Sequence, residues 1–259
     1  MLIIGEKLSI IAKRVREAMM KRDKGPIQEI AKRQFDEGAG MIDANIGPAE
    51  GQESLMEWMV TTIQEVVPAP VCLDTTNYEA LERGLKVHNN QWGRALINST
   101  SNDPERWPII ELAAKYDCDL IALTVGKGGL PADAEERSAI AAELMARIGE
   151  NGISMERIYL DPLVLQIATT QEQAVKVIQT IKMFQDLNDP PMKTVVGLSN
   201  ISNGCPKKVR PILNLHYLTL LMYEGLSAAI ADAAEIVDTV KTVDAILNNS
   251  LYAHSYLEM

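Results

Sequence analysis

The chain has 259 residues, 47% hydrophobic and 23% charged. At roughly 150 residues per domain it fits one large domain or two small ones, with a core large enough to need neither disulfides nor a structural metal. Its 25 Lys and Arg against 35 Asp and Glu give a net charge of −10, which argues against nucleic acid or an anionic membrane as partner.

Short runs rich in Val, Ile and Leu alternate along the chain with longer stretches of helical period. The runs are LIIGE at 2–6, GMIDANI at 40–46, PVCLDT at 70–75, RALINS at 94–99, DLIALT at 119–124, RIYLDP at 157–162, TVVGLS at 194–199 and SAAIAD at 227–232. Continuous rather than alternating hydrophobicity suits parallel strands buried on both faces. Between them, 53–67 places Leu55, Trp58, Met59, Thr62 and Ile63 on one helical face. The stretch 171–186 does the same with Ala174, Val177, Ile178 and Ile181, and 232–248 opens on Asp232 as N-cap before Ile236, Val237, Val240 and Ile246. Eight strand–helix units in this length predict a single (β/α)8 TIM barrel over 1–259. A doubly wound sheet is the rival, and Gly5-Glu6-Lys7-Leu8 is not the Gly-rich phosphate turn it would carry. Cys72, Cys118 and Cys205 are far apart without a CxxC, as in a reducing compartment, and neither a signal peptide nor a membrane span is read, so a cytoplasmic location is expected.

The strand-like runs end in polar residues: Glu6, Asp43 with Asn45, Asp74, Asn98, Thr124, Asp161, Ser199 with Asn200, and Asp232. In a barrel these gather at the carboxyl-terminal mouth, where such folds place their chemistry. Any one of them could simply cap a helix or make a turn, Thr124, Ser199 and Asp232 most of all. As a set, carboxylates in a barrel mouth are costly unless paired or bound to a ligand rich in donors. A divalent cation on carboxylates is one such ligand. His88, His216 and His254 fall in helix-like segments or near the terminus, as surface or core-edge residues, so a transition-metal site is not expected. Gly204 alone makes no phosphate loop, and Gly126, Gly128 and Gly129 read as a flexible loop. A neutral planar heterocycle with several N–H donors fits best. Lys7 and Lys127 are the lysines at strand ends, and both are expected to face solvent.

The combinations LIIGE at 2–6, IDANIGPA at 42–49, CLDTTN at 72–77, INSTS at 97–101, YLDPL at 159–163, GLSNIS at 197–202 and AAIADA at 228–233 resemble the pterin-binding methyltransferases that move a methyl group between tetrahydrofolate and a corrinoid protein. The methyltetrahydrofolate:corrinoid/iron-sulfur protein methyltransferases and the methyltransferase components of O-demethylases belong to that group. The resemblance implies a pterin-binding (β/α)8 barrel with tetrahydrofolate or methyltetrahydrofolate as substrate. It further implies a corrinoid (cobalamin) supplied by a partner protein, no protein-bound metal, and a homodimer. By resemblance Asp74, Asn98 and Asp161 hold the pterin ring and Asn200 sits beside nitrogen-5 as the catalytic residue. Glu6, Asp43 and Asn45 support them, Gly197 and Ser199 let the backbone approach the folate, and Ile230 packs where pterin meets corrin. Arg210 keeps the Arg-Pro position of the family, although 203–211 is longer and more basic than the family turn, so that Lys207 and Lys208 either belong to an ordinary solvated loop or meet the folate glutamate tail or the corrinoid partner.

No D-x-H-x-x-G corrinoid signature occurs, so the corrinoid is expected on a separate chain. The R-x-H of dihydropteroate synthases and the zinc thiolates of thiol-methylating enzymes are missing as well. The expected activity is methyl transfer between nitrogen-5 and cobalt. The preferred setting is formation of methyltetrahydrofolate as the second methyltransferase of an O-demethylase or similar corrinoid system. The alternatives are the methyltransferase of the acetyl-CoA pathway and a non-catalytic pterin-binding protein.

Overall fold

The computed structural model describes residues 1–249. Among these, eight parallel strands close into a barrel in chain order, each paired with its sequence neighbours and the last with the first. The strands are β1 (Leu2–Ser9), β2 (Met41–Asn45), β3 (Val71–Asp74), β4 (Leu96–Asn102), β5 (Asp119–Gly126), β6 (Ile158–Asp161), β7 (Lys193–Gly197) and β8 (Ala228–Ala231). The first connection holds α1 (Lys13–Lys21) and α2 (Lys24–Asp36). The others hold α3 (Ser54–Gln64), α4 (Tyr78–Val87), α5 (Pro108–Lys115), α6 (Ala134–Glu150), α7 (Gln171–Gln185) and α8 (Arg210–Tyr223), and α9 (Ala233–Ile246) follows β8. This is the (β/α)8 barrel expected from the sequence.

The helices form where the pattern places them, and side chains stop their ends. Asp23, Asn77 and Asp133 accept backbone N–H bonds at the N-termini of α2, α4 and α6, satisfying donors that no helical carbonyl can reach. In α3, Leu55, Met59, Thr62 and Ile63 are buried against the barrel, whereas Trp58 lies at the edge under Arg22, 5.4 Å from its ring centre. In α7 Val177 and Ile181 are buried, with Ala174 and Ile178 half-covered. Asp232 does stand at the N-cap of α9, but its side chain makes no capping bond and instead pairs with Lys7 at 2.6 Å. At the other end of α9, Ile246 is 75% exposed, outside the buried face expected for it.

Inside the barrel, residues two apart on a strand point the same way. Ile4, Met41, Cys72, Leu96, Ile121, Tyr159, Val195 and Ala228, one from each strand, cluster as a buried apolar floor. Two residues further along every strand stands the next inward position: Glu6, Asp43, Asp74, Asn98, Leu123, Asp161, Gly197 and Ile230. A second, larger cluster fills the space between the strands and the helices. The chain therefore builds an apolar plug and sets a largely polar ring directly on top of it.

Candidate functional site

That ring lines a cleft of about 760 Å³ at the carboxyl-terminal mouth. The residues assigned to the site by resemblance, Glu6, Asp43, Asn45, Asp74, Asn98, Asp161, Gly197, Ser199, Asn200, Arg210 and Ile230, line it together, whereas Thr124 and Asp232, also expected at the mouth, do not. The structure adds Lys7, Ser9, Ile11, Ala12, Ser99, Leu123 and Leu163. For β5 the mouth residue is Leu123 rather than the expected Thr124. Thr124 is buried on the other side of the strand, where its hydroxyl donates to the Asp161 carbonyl at 2.9 Å. Lys7 is 41% exposed in its side chain, as expected, but it also lines the cleft and pairs with Asp232.

Two irregularities explain two of the additions, Lys7 and Ser99. Between Gly5 and Leu8, β1 carries one residue more than β2, and between Ile97 and Thr100, β4 carries one more than β5. Such a bulge breaks the alternation, so two consecutive side chains meet the cleft: Glu6 with Lys7, and Asn98 with Ser99. Each bulge frees a backbone group, and one side chain takes it up. Gln34, buried in α2, accepts from the Lys7 N–H at 2.7 Å, passing so close to Gly5 that a Cβ there would lie 2.6 Å from its amide oxygen. Arg106 donates to the Ser99 carbonyl at 2.5 Å and to the Thr76 carbonyl at 3.1 Å, tying the mouth end of β4 to the loop after β3.

The carboxyls differ in environment. Asp43 is 3% exposed, and one of its oxygens has no hydrogen-bond partner. Burial, then repulsion from Asp74, pushes its pKa well above the ordinary range. Asp74 is raised to about 6 by burial, against the opposing pull of the Asn45 amide, which donates at 2.5 Å, and of Arg106. Asp161 is raised to about 7 by burial, with the Leu163 backbone N–H, 2.8 Å from Oδ1, opposing. Glu6 is raised by burial while the Ser199 hydroxyl donates to it at 2.7 Å. Behind Asp161, the buried Arg137 donates to the Pro162 carbonyl and to the Gln173 side chain, both at 2.8 Å, fixing the loop that follows β6.

Asn200 sits beyond β7 in a short 3-10 segment, Leu198–Ser202, exposed at the rim. Its amide lies over Gly197, where a Cβ would come within 3.0 Å of Nδ2, and its Oδ1 accepts from Asn203 at 3.4 Å. Arg210 opens α8 and donates to the Cys205 carbonyl at 2.9 Å, closing the loop between them. His88 is bound within the core edge, its Nε2 accepting from the Val71 N–H at 3.1 Å, and His216 is exposed. His254 lies outside the described residues. Among the described residues no His, Cys, Asp and Glu side chains group in a way that could hold a metal ion.

A deep mouth ringed by acceptors, with acids whose charge a ligand's N–H groups would offset, is the chemistry of a site for a donor-rich heterocycle. The family model of the pterin binding enzymes matches residues 13–232, and the chain belongs to that family. It is 27% identical over 263 residues to a methylcorrinoid:tetrahydrofolate methyltransferase of Eubacterium limosum, a match that covers 99% of this chain and 94% of that protein. Methionine synthases of Mycobacterium leprae and Mycobacterium tuberculosis are 31% and 30% identical over 249 residues, covering 91% of this chain but only 20% and 21% of theirs. Among solved structures, a Yersinia pestis DHPS with a pterine–sulfa conjugate has a TM-score of 0.70 at 15% identity, covering 95% of this chain and 94% of that one, a likeness of fold.

Proposed function

We propose that the chain is a methyltransferase moving a methyl group between nitrogen-5 of tetrahydrofolate and the cobalt of a corrinoid carried by a partner protein. The observation that carries this reading is the acceptor ring on the apolar floor, with Asn200 at the rim above it. Asp74, Asn98 and Asp161 take the donor edge of the pterin, since a carboxylate accepts two N–H bonds in one plane. Seated this way the ring turns nitrogen-5 toward Asn200. Toward methyltetrahydrofolate, the nitrogen-5 lone pair forms the new C–N bond, the cobalt–carbon pair remains on cobalt as cobalt(I), and the nitrogen sheds its proton. In reverse, the amine must be protonated before it can leave. The Asn200 carbonyl accepts from that N–H without taking the proton, and so stabilises the charge that develops in the transition state.

The preferred physiological role is formation of methyltetrahydrofolate as the second methyltransferase of an O-demethylase or related corrinoid system, in the cytoplasm. We take residues 1–259 as one barrel domain. A homodimer is supported by the apolar outer face of α7 and α8, where Val175, Ile212 and Leu220 are exposed and Tyr223 is 70% exposed. Sedimentation of the wild type and of Tyr223→Glu tests the dimer, which the charge would split. For the activity, the protein is mixed anaerobically with tetrahydrofolate and methylcobalamin while the absorbance of cobalt(I) is followed. Growth of that band together with methyltetrahydrofolate supports the reading. Tight folate binding without transfer, from free or protein-bound methylcorrinoid, would replace it with a non-catalytic pterin-binding role.

A further inference from the structure

Between Asp189 and Glu224 the sequence holds no acidic residue, in a chain whose net charge is −10. That stretch contains the β7–α8 loop with exposed Lys207 and Lys208, followed by exposed Arg210, which lines the cleft. Among the described residues none of these three stands in an ion pair, whereas Lys7, Lys13 and Arg14 on β1 and at the start of α1 are matched by Asp232, Glu17 and Glu29. Two strands round the barrel, the loop after β1 brings apolar residues to the cleft. Ile11 and Ala12 line it, and Ile11 is 82% exposed, held out by a loop whose Ile10 and Ile11 carbonyls both accept from Arg16 at 3.3 Å. An isoleucine so exposed on a braced loop, on the same rim as unmatched cations, suits a ligand that is apolar first and acidic further out.

We propose that this rim is a subsite for the tail of the folate. Ile11 and Ala12 take the face of the aminobenzoyl ring, and Lys207, Lys208 and Arg210 take the carboxylates of the γ-linked glutamates. The inference rests on the pterin reading above, in which the ring sits at the bottom of the cleft and the tail must leave through the mouth. It makes the enzyme selective for polyglutamylated over monoglutamylated folate, and it accounts for both the exposed apolar residue and the acid-free stretch. The acidic surface of a partner protein is the competing source of carboxylates.

Three ligands separate the segments, and no partner protein is present in the assay: 6-methyltetrahydropterin, tetrahydropteroate and tetrahydrofolate pentaglutamate, each titrated by calorimetry. Wild type binds the pentaglutamate about three- to tenfold tighter than tetrahydropteroate at low salt, a gain that shrinks towards 0.5 M salt, on the order expected for exposed ion pairs. Lys207→Ala with Lys208→Ala brings that ratio towards one. Ile11→Ser lowers the ratio of tetrahydropteroate to 6-methyltetrahydropterin affinity by about fivefold, the scale of burying part of an aliphatic side chain. Equal wild-type affinities for pentaglutamate and tetrahydropteroate, or a ratio that survives loss of both lysines, overturns the subsite while leaving the pterin site intact. Failure of all three ligands to bind overturns the pterin reading, and this inference with it.

Discussion

Asp161→Asn should make the unliganded protein more stable and at the same time disable it. Burial raises the Asp161 pKa to about 7 from the ordinary 3.8, so between those values the folded chain holds a proton that the unfolded chain releases. The folded state binds more protons, and stability therefore falls as pH rises from about 4 through 7 and stays down above it. A displacement of about three pH units at 1.36 kcal/mol each sets a ceiling of about 4 kcal/mol, and solvent reaching into the open mouth reduces it to about 2. Asparagine keeps an oxygen for the Leu163 N–H and never ionises, so it removes the penalty. For a chain of 259 residues, about 2 kcal/mol at pH 8 is about 4 °C in Tm. At pH 4.5 the same substitution should gain only about a quarter as much. Calorimetry of both proteins at the two pH values measures this directly. Pterin affinity should fall in the variant by about ten- to a hundredfold, the worth of a hydrogen bond to a charged acceptor. An Asn variant no more stable than wild type at pH 8, or a gain independent of pH, would refute the account of Asp161 as a carboxyl held at a cost for its ligand.

Other substitutions separate binding from rate. Asn200→Ala should lower single-turnover methyl transfer by about one to three decades while pterin affinity by calorimetry changes only a few-fold, the signature of an interaction made in the transition state. Arg106→Gln removes the cation that opposes the raised pKa of Asp74, about 6 in the wild type, so the pH midpoint above which pterin binds should move upward, with Arg106→Lys restoring part of the shift. Gly197→Ala places a methyl within 3.0 Å of the Asn200 amide, which is at the surface and free to swing away. Transfer should drop about tenfold while Tm changes little, because the displaced group carries no packing.

Much of this site was legible because barrel geometry converts sequence order into position. Asp43, Asp74, Asn98 and Asp161 each close an apolar run, and each stands two residues beyond a floor residue of its own strand. The reading slipped where that count does. Thr124 ends its run in polar character, yet the inward parity of β5 falls on Leu123, and the hydroxyl points outward to brace the next strand. Asp232 also ends its run, one residue past β8, and turns to Lys7 instead of the cleft. Lys7 and Ser99 were invisible because a bulge has no composition of its own: what creates each one is a distant Gln34 or a nearby Arg106 that takes up the freed backbone group. Arg137 was equally hidden, since a charged residue in a helix normally reads as solvated surface and here donates to neutral acceptors in the core.

The apolar floor also governs how protons travel. Its members are at most 8% exposed, so water cannot reach the acid ring from the amino-terminal end of the barrel. The ring opens at the mouth, and on the proposed reading a planar heterocycle seated on Asp74 and Asp161 would stopper that side. Asp43, buried in the ring with its pKa raised by that burial, would then be shut off from solvent. On that reading, proton exchange in the occupied site would pass through the ligand itself or along the Ser199–Glu6 hydrogen bond. Isotope exchange into a bound complex should accordingly be slow compared with turnover, with ligand release as its clock.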